Sequence, residues 1–268
     1  MEENQIGLLA EKIREAKRIV FLGGAGVSTE SGIPDFRSQN GIYQAIQEFG
    51  YPPEKLISHT FFMQKTSVFY QYYTKYLIYP QAEPNPAHHA LARMEWGSAF
   101  GQENAKPRGK LKAIVTQNID DLHQQAGSKN VLELHGSVYR NFCMDCGKSY
   151  TLQEMLALRE ENEDGVPRCS CGGIIKPDVV LYEEGLDQQV LMDSVYQIQN
   201  ADLMIIGGTS LAVYPAAGLC DYFRGHNIVV INLSNTMRDT GAALSIHRPI
   251  GEVLSGVLEL LSEEDLDG

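Results

Sequence analysis

What this sequence lacks narrows it quickly. Basic residues are in short supply: 22 Lys+Arg stand against 34 Asp+Glu, a formal charge of −12. Nucleic-acid binders need a basic footprint to neutralise phosphates, so no direct nucleic-acid binding is expected. An unbroken apolar run of membrane length is missing as well. Residues 203–220 carry no charge, yet Gly207, Gly208, Thr209, Ser210, Tyr214 and Pro215 interrupt them and would break a spanning helix. That stretch reads as a strand, a turn and the start of a helix. The segment MEENQIGLLAEKIREAKR is acidic and has no apolar h-region, so no secretory signal is expected. Cysteines number only five, and four crowd between 143 and 171. That fits an intracellular metal site better than a secreted disulfide framework, and a cytoplasmic protein is expected. There is no internal repeat or low-complexity segment, and the final SEEDLDG reads as a frayed tail.

What is there resembles an ordinary soluble composition, 43% hydrophobic and 21% charged. The length allows one large core, or a core with a small module attached. Ile6, Leu9, Ile13 and Ala16 recur at helical spacing, predicting a helix over 6–17. Short β-branched runs follow at Arg18-IVFLGG, Leu111-KAIVTQN, Leu203-MIIGGTS and Asn227-IVVINLS. Helical segments such as 86–96 and 186–199 separate them. Strands alternating with helices imply an α/β fold, a Rossmann-like parallel sheet with helices on both faces. Ligands bind at the carboxyl ends of such strands, and these strands run out into Gly, Ser, Thr, Asn or Gln. Two pieces break the alternation: a Tyr- and Phe-rich helical stretch, and a stretch with the four cysteines and an acidic helix over 152–163. The expected division is a large domain of 1–40, 86–138 and 176–268, a helical insertion of 41–85 and a zinc-ribbon module of 139–175. The insertions form a smaller lobe, and a cleft between lobes is a usual substrate site.

After the first strand comes Gly23-Gly24-Ala25-Gly26-Val27-Ser28-Thr29. Gly24-x-Gly26 opens like a dinucleotide fingerprint, in which glycines let the backbone approach a pyrophosphate. The third glycine is missing, with Thr29 in its place, and so is an acid ending a second strand about 20 residues on. These absences disfavour a dehydrogenase, and a tight turn explains a bare GxG equally well. The cysteines Cys143-Met-Asp-Cys146 and Cys169-Ser-Cys171 read as a structural zinc ribbon whose four thiolates close the coordination sphere; reduced cysteines without metal are the alternative. Cys220 reads as a small core residue. Among seven histidines, His88 and His89 read as structural at a helix start, and His123 as capping or packing. His135 follows Val131-Leu-Glu-Leu134 at a strand end, where an imidazole suits proton abstraction. Context alone leaves it balanced between a structural and a catalytic role.

The stretch GAGVSTESGIPDFRS (24–38) resembles the first signature of the sirtuins, the NAD-dependent protein-lysine deacylases. TQNIDDLH (116–123) is similar to the second, and LHG (134–136), the cysteine quartet, GTSL (208–211) and NLS (232–234) follow in the family's order. The resemblance implies that NAD is a co-substrate and zinc a structural ion, and that the partners are acylated-lysine proteins or peptides. It implies that the acyl oxygen attacks C1′ of the nicotinamide ribose, nicotinamide leaves, and an alkylimidate forms. His135 would then act as general base, and water would release lysine and 2′-O-acyl-ADP-ribose. Catalytic roles are carried to His135, Asn118 and Asp120. NAD contacts are carried to Ala25, Thr29, Phe36, Arg37, Gln117, Asn118, Ile119, Asp120, His135, Thr209, Ser210, Asn232, Ser234 and Ile250. Asp120 would accept from the carboxamide, N-capping being its alternative.

On the substrate side, Lys176-Pro-Asp-Val-Val-Leu-Tyr-Glu-Glu184 is similar to the family segment that pairs with an acyl-lysine peptide. Val179, Val180 and Leu181 are the substrate contacts carried over. Two departures stand out. Cys-x-Cys replaces the usual Cys-x-x-Cys, with Gly172-Gly173 available to absorb the change. Glu183 stands where the family has glycine, which puts the peptide contact there in doubt and adds a charge that would favour basic flanking residues. Tyr72, Tyr76 and Tyr79 share one helical face, more often core than ligand box. Family members that prefer acidic acyl groups carry Tyr-x-x-Arg; this chain has Tyr70-Gln-Tyr-Tyr73, so neutral acyl groups are expected, acetyl first. The rival functions are a protein ADP-ribosyltransferase using the same NAD site and a non-catalytic NAD or ADP-ribose sensor. The family is often monomeric, and a monomer is expected.

Overall fold

The computed structural model describes residues 2–35 and 38–268. Among the described residues, nine strands form two sheets. The larger holds six: β1 (Ile19–Gly23), β2 (Leu111–Thr116), β3 (Val131–Glu133), β7 (Leu203–Gly207), β8 (Asn227–Ile231) and β9 (Leu244–Ile246). The smaller holds β4 (Gly136–Cys143), β5 (Ser149–Thr151) and β6 (Ile175–Val179). The large sheet is parallel throughout, in the order β3-β2-β1-β7-β8-β9. This is the doubly wound order whose direction reverses beside β1, so the loops after β1, β2 and β7 open together.

Strand alternation explains the two covered faces. Ile19, Phe21, Ile114, Ile205 and Val229 turn one way, onto helices Glu2–Glu15, Pro86–Trp96 and Ile250–Glu259. Val20, Leu22, Val115, Met204 and Ile206 turn the other way, onto helix Gln188–Gln199 and the short turn of helix Ala216–Tyr222. Cys220 lies in that second face as a buried core residue. The four runs read as strands, and the helix over 86–96, appear where expected. Residues 203–220 form β7, a turn and the beginning of a 3-10 helix, and no helix among the described residues is long and apolar enough to cross a membrane.

The smaller lobe is a separate core. Helices Gln39–Phe49, Pro53–Leu56, His59–Gln64 and Thr66–Tyr76 pack on the antiparallel sheet, with Phe62, Phe69, Tyr70, Tyr73, Met155 and Ile175 wholly buried among them. The small sheet takes in residues 136–138 and 176–179, which the sequence reading placed with the large domain.

Three expectations are corrected. The first helix runs over Glu2–Glu15 instead of 6–17, and the acidic one over Leu152–Glu160 instead of 152–163. The C-terminus is not a frayed tail. Ser262 and Asp265 form a capping box on helix Glu263–Leu266, and Leu266 is buried in the main core. Asp267 then accepts from the backbone N–H of Ser98 at 2.7 Å and from its hydroxyl at 2.6 Å. Acidic composition concealed one apolar anchor. Leu266→Ala is expected to cost about 2–4 kcal/mol and to lower Tm by about 5–10 °C. A thermal melt shifted by less than a degree would restore the frayed tail.

Candidate active site

The carboxyl ends of β1, β2, β3 and β7 meet the smaller lobe around a cavity of about 200 Å³. The sheet supplies its polar wall: Ser28, Gln117, Asn118, Asp120 and His135. The lobe supplies an apolar one that includes Ile57, Tyr73, Tyr76, Val138 and Val179. Most ligand sites join these two characters.

The glycine loop is held against the chain itself. The Gly26 N–H donates to the carbonyl of Gly208 at 2.8 Å. A Cβ at Gly26 would come within 2.8 Å of the Gly208 backbone, so the β1 and β7 loops can touch only through glycine. The loop continues as short 3-10 turns, Ala25–Val27 and Thr29–Ser31, not as the α-helix of the usual fingerprint.

His135 follows β3. Its Nδ1 lies 2.9 Å from the carbonyl oxygen of Gln117. A carbonyl can only accept, so Nδ1 carries the proton and neutral Nε2 is the ring's base. The backbone holds this residue from the other side, where the Val180 N–H donates to the His135 carbonyl at 3.0 Å.

Asn118 and Asp120 meet through Ser28. The Asn118 amide donates to the Ser28 hydroxyl at 2.9 Å, and that hydroxyl donates to Asp120 Oδ2 at 2.6 Å. Asp120 Oδ1 accepts from the Leu122 N–H at 3.0 Å, so the side chain also serves the turn that precedes helix Leu122–Gln125. The N-cap position belongs to Asp121, in the left-handed region at φ 57°. Burial pushes the Asp120 carboxyl above its ordinary pKa, against the pull of Ser28 and Leu122. Ser28 was not singled out from the sequence. Its place in GAGVST was the available signal, but its role depends on a partner 92 residues away.

His88 caps its helix, accepting at Nδ1 from the Asn85 N–H at 3.2 Å, and burial lowers its pKa to about 4. His89 is exposed. His123 packs edge-on against His88, centroids 4.8 Å apart, with both ring nitrogens buried and without hydrogen-bond partners among the described residues. Of the two roles expected for His123, capping and packing, it has the second.

The other expected residues are distributed around this wall. Ala25, Gln117 and Ile119 line the cavity. Thr209 accepts from the Gln117 amide at 3.2 Å, behind the wall. Thr29 and Ser210 are exposed at loop turns. Asn232 donates to the Ser234 carbonyl at 2.9 Å, beyond β8. Ile250 is buried at the start of its helix. None of these last six residues, Thr209, Thr29, Ser210, Asn232, Ser234 and Ile250, is on the cavity wall. Phe36 and Arg37 lie outside the described residues.

Val179, Val180 and Leu181 line the cavity, with Tyr182 paired to Ser58. Glu183 adopts φ 77°, the region its glycine counterpart would favour. Its carboxylate accepts from the Thr60 N–H at 2.8 Å. Glu184 holds Lys176 and His59 at 3.1 and 2.9 Å, tying the segment to the helical insertion. The tyrosine reading needs correction. Tyr72 is core, but Tyr79 lies past the end of its helix, and Tyr73, Tyr76 and Tyr79 all line the cavity.

The ligating atoms of Cys143, Cys146, Cys169 and Cys171 all lie within 4.8 Å of one another. The Cys143–Cys171 and Cys146–Cys169 sulfurs are 3.5 and 3.6 Å apart. A tetrahedral zinc with bonds of about 2.3 Å places its sulfurs about 3.8 Å apart, so the quartet fits zinc with no ligand position to spare. The shortened Cys-x-Cys is absorbed at Gly172, φ 93°, and at Gly173, where a Cβ would come within 2.7 Å of the Cys143 sulfur.

Comparison with known proteins agrees in sequence and in fold. The family model described as "Sir2 family" matches residues 24–215. A protein of Clostridium acetobutylicum named NAD-dependent protein deacetylase is 53% identical over 259 residues, covering 94% of this chain and 100% of the relative. A solved Sir2 structure with deacetylated p53 peptide and 3′-O-acetyl ADP ribose matches with TM-score 0.83 and 35% identity, over 98% of this chain and 100% of that one. A Sir2–p53 peptide–NAD+ structure matches with TM-score 0.79 and 36% identity, over 95% of this chain and 98% of that one.

Proposed function

The chain belongs to the Sir2 family and is an NAD-dependent protein-lysine deacetylase; we propose that the cleft between its sheet and its smaller lobe is where acetyl-lysine and NAD react. The observation that carries this assignment is the convergence of His135, Asn118 and Asp120 on one cavity, each held by a second group, with the apolar Val179–Leu181 segment beside His135. When bound, NAD supplies the ribosyl carbon that accepts the acyl oxygen, with nicotinamide as leaving group. Nε2 of His135 takes the ribose hydroxyl proton, its ring held by the Gln117 carbonyl. Asn118 and Asp120 orient the nicotinamide ribose and carboxamide, kept in place by Ser28. Thr209, Ser210, Asn232 and Ser234 serve the adenosine half from the ends of β7 and β8.

The lysine side chain enters along Val179, Val180 and Leu181. The three-part division follows the two sheets: a Rossmann-like domain, a helical insertion and a zinc ribbon, the last two making one lobe. Cytoplasmic work suits four clustered thiolates, which a reducing compartment preserves.

No lysine or arginine is among the described residues lining the cavity, while Glu183 and Glu184 are. Neutral acyl groups should therefore be the substrates, because an unpaired carboxylate is costly to bury. The test is mass spectrometry of acyl-lysine peptides with and without NAD. NAD-dependent loss of acetyl with acyl-ADP-ribose appearing is expected, and succinyl removal at least about 100-fold slower. Succinyl-lysine turned over faster than acetyl-lysine would sink the acyl preference. Protein labelled covalently with ADP-ribose, without acetyl loss, would move the assignment to ADP-ribosyl transfer.

A further inference from the structure

Glu183 occupies a turn better suited to glycine. The Glu184 N–H donates to the Leu181 carbonyl at 3.0 Å, closing a four-residue turn with Glu183 in its third position at φ 77°. Glycine reaches that region freely and other residues only with strain. A glutamate kept there calls for a use of its side chain.

The backbone beside it is fastened to the helical insertion. The Tyr182 N–H donates to the Ile57 carbonyl at 3.0 Å, and the His59 N–H to the Tyr182 carbonyl at 2.9 Å. The Glu183 carboxylate accepts from the Thr60 N–H at 2.8 Å, so the charge itself has a fixed place. Three acids line the cavity: Asp120, Glu183 and Glu184. Asp120 is turned onto Ser28 and the Leu122 N–H, and Glu184 is occupied by Lys176 and His59. Glu183 forms no ion pair among the described residues. Hydrogen bonds from the Thr60 side chain and backbone hold its carboxyl below the ordinary pKa, which leaves an uncompensated negative charge at neutral pH. Exposure fixes where along the substrate segment that charge lies. Val179 and Leu181 are buried, Tyr182 is half-buried and Glu183 is exposed. The segment therefore runs outward from the interior of the cleft, and Glu183 stands at its mouth.

Resting on the deacetylase reading of the cleft, we propose that Glu183 selects the peptide around the acetyl-lysine, its carboxylate pairing with a lysine or arginine one or two residues away in the substrate sequence. An acetylated side chain lying along Val179–Leu181 leaves its own backbone at the mouth. Successive residues of an extended peptide are about 3.5 Å apart, so the long side chain of a basic neighbour reaches a carboxylate there. A basic residue farther along the peptide does not. The pair is exposed to solvent, so it changes affinity a few-fold and is screened by salt.

The test compares kcat/KM for two acetyl-lysine peptides of identical composition. One has an arginine on each side of the acetyl-lysine, and the other has both arginines about six residues away. Equal peptide charge cancels the general attraction of a chain at −12 for basic partners. The wild type should favour the flanked isomer by about threefold to fivefold at low salt, through KM, and by less as salt rises. Glu183→Gln keeps an acceptor for the Thr60 N–H but not the charge, and there the preference should vanish. Glu183→Gly, which the turn accepts without strain, should lose it by a second route. In Glu183→Lys the preference should pass to the isomer flanked by glutamates. A flanking-arginine preference that survives in either neutral variant overturns the proposal. Both isomers deacetylated equally well by the wild type would defeat this inference alone, with no variant needed. Absence of NAD-dependent acetyl loss from every peptide would defeat the reading of the cleft instead.

Discussion

His135→Ala is expected to lower kcat for NAD-dependent removal of acetyl by about three orders of magnitude, within the 10²- to 10⁴-fold range of a positioned general base. The expectation rests on one bond. Because Nδ1 is committed to the Gln117 carbonyl, Nε2 is the basic nitrogen, and alanine supplies none. A second measurement separates lost chemistry from a damaged site. In the order of steps set out above, proton removal follows the departure of nicotinamide. Exchange of labelled nicotinamide into NAD should therefore persist in His135→Ala while product formation collapses. Loss of both activities together would indicate that the ring is needed to build the site. An acetyl-removal rate within tenfold of wild type would take the base's role away from His135.

Metal removal should have the other large effect, and on one half of the molecule first. Cys143 and Cys169 are buried in the same core as Phe62, Tyr70, Tyr73 and Val179, and none of the four clustered cysteines belongs to the cores on either face of the large sheet. Structural zinc binding is worth about 10–16 kcal/mol in small zinc modules. Chelation should thus release one zinc per chain and open the smaller lobe while the parallel sheet keeps its structure. A calorimetric scan should then split into two transitions, the lower one restored by adding zinc. Activity should vanish with the lower transition, because Tyr73, Val138 and Val179 form one side of the cleft. Cys169→Ala should behave as the chelated protein does, because an alanine leaves three ligands and a buried gap. A scan indifferent to chelator would show that the four sulfurs are packing residues.

The strands beside the site were legible because each is a short β-branched run closed by a small or polar residue, and a buried parallel strand needs little else. β9 was not, since Leu244-Ser-Ile246 is too short to show a period and pairs at the sheet's edge. The small sheet escaped for a different reason. Its pairing joins β4 to β6 across some 30 residues, a contact that no local pattern announces. The tyrosines misled because helical spacing reports a shared face, whereas the helix stops at Tyr76 and the cavity, not the core, receives Tyr79.

By itself, then, the order of residues determined what kinds of group are present and which are near neighbours: the loop glycines, the Gln117–Asp120 run, a histidine at a strand end and the four cysteines. Those are local facts, set by residue chemistry and by spacing along one segment. Only the tertiary structure decided which groups meet. It set Ser28 between Asn118 and Asp120, turned the Gln117 carbonyl onto His135, and enclosed the Tyr73 hydroxyl without a partner. The first two are contacts between loops of the one parallel sheet, and the third is set by packing inside the smaller lobe. Each is fixed by how separate segments of the chain pack, which no local pattern of residues can record.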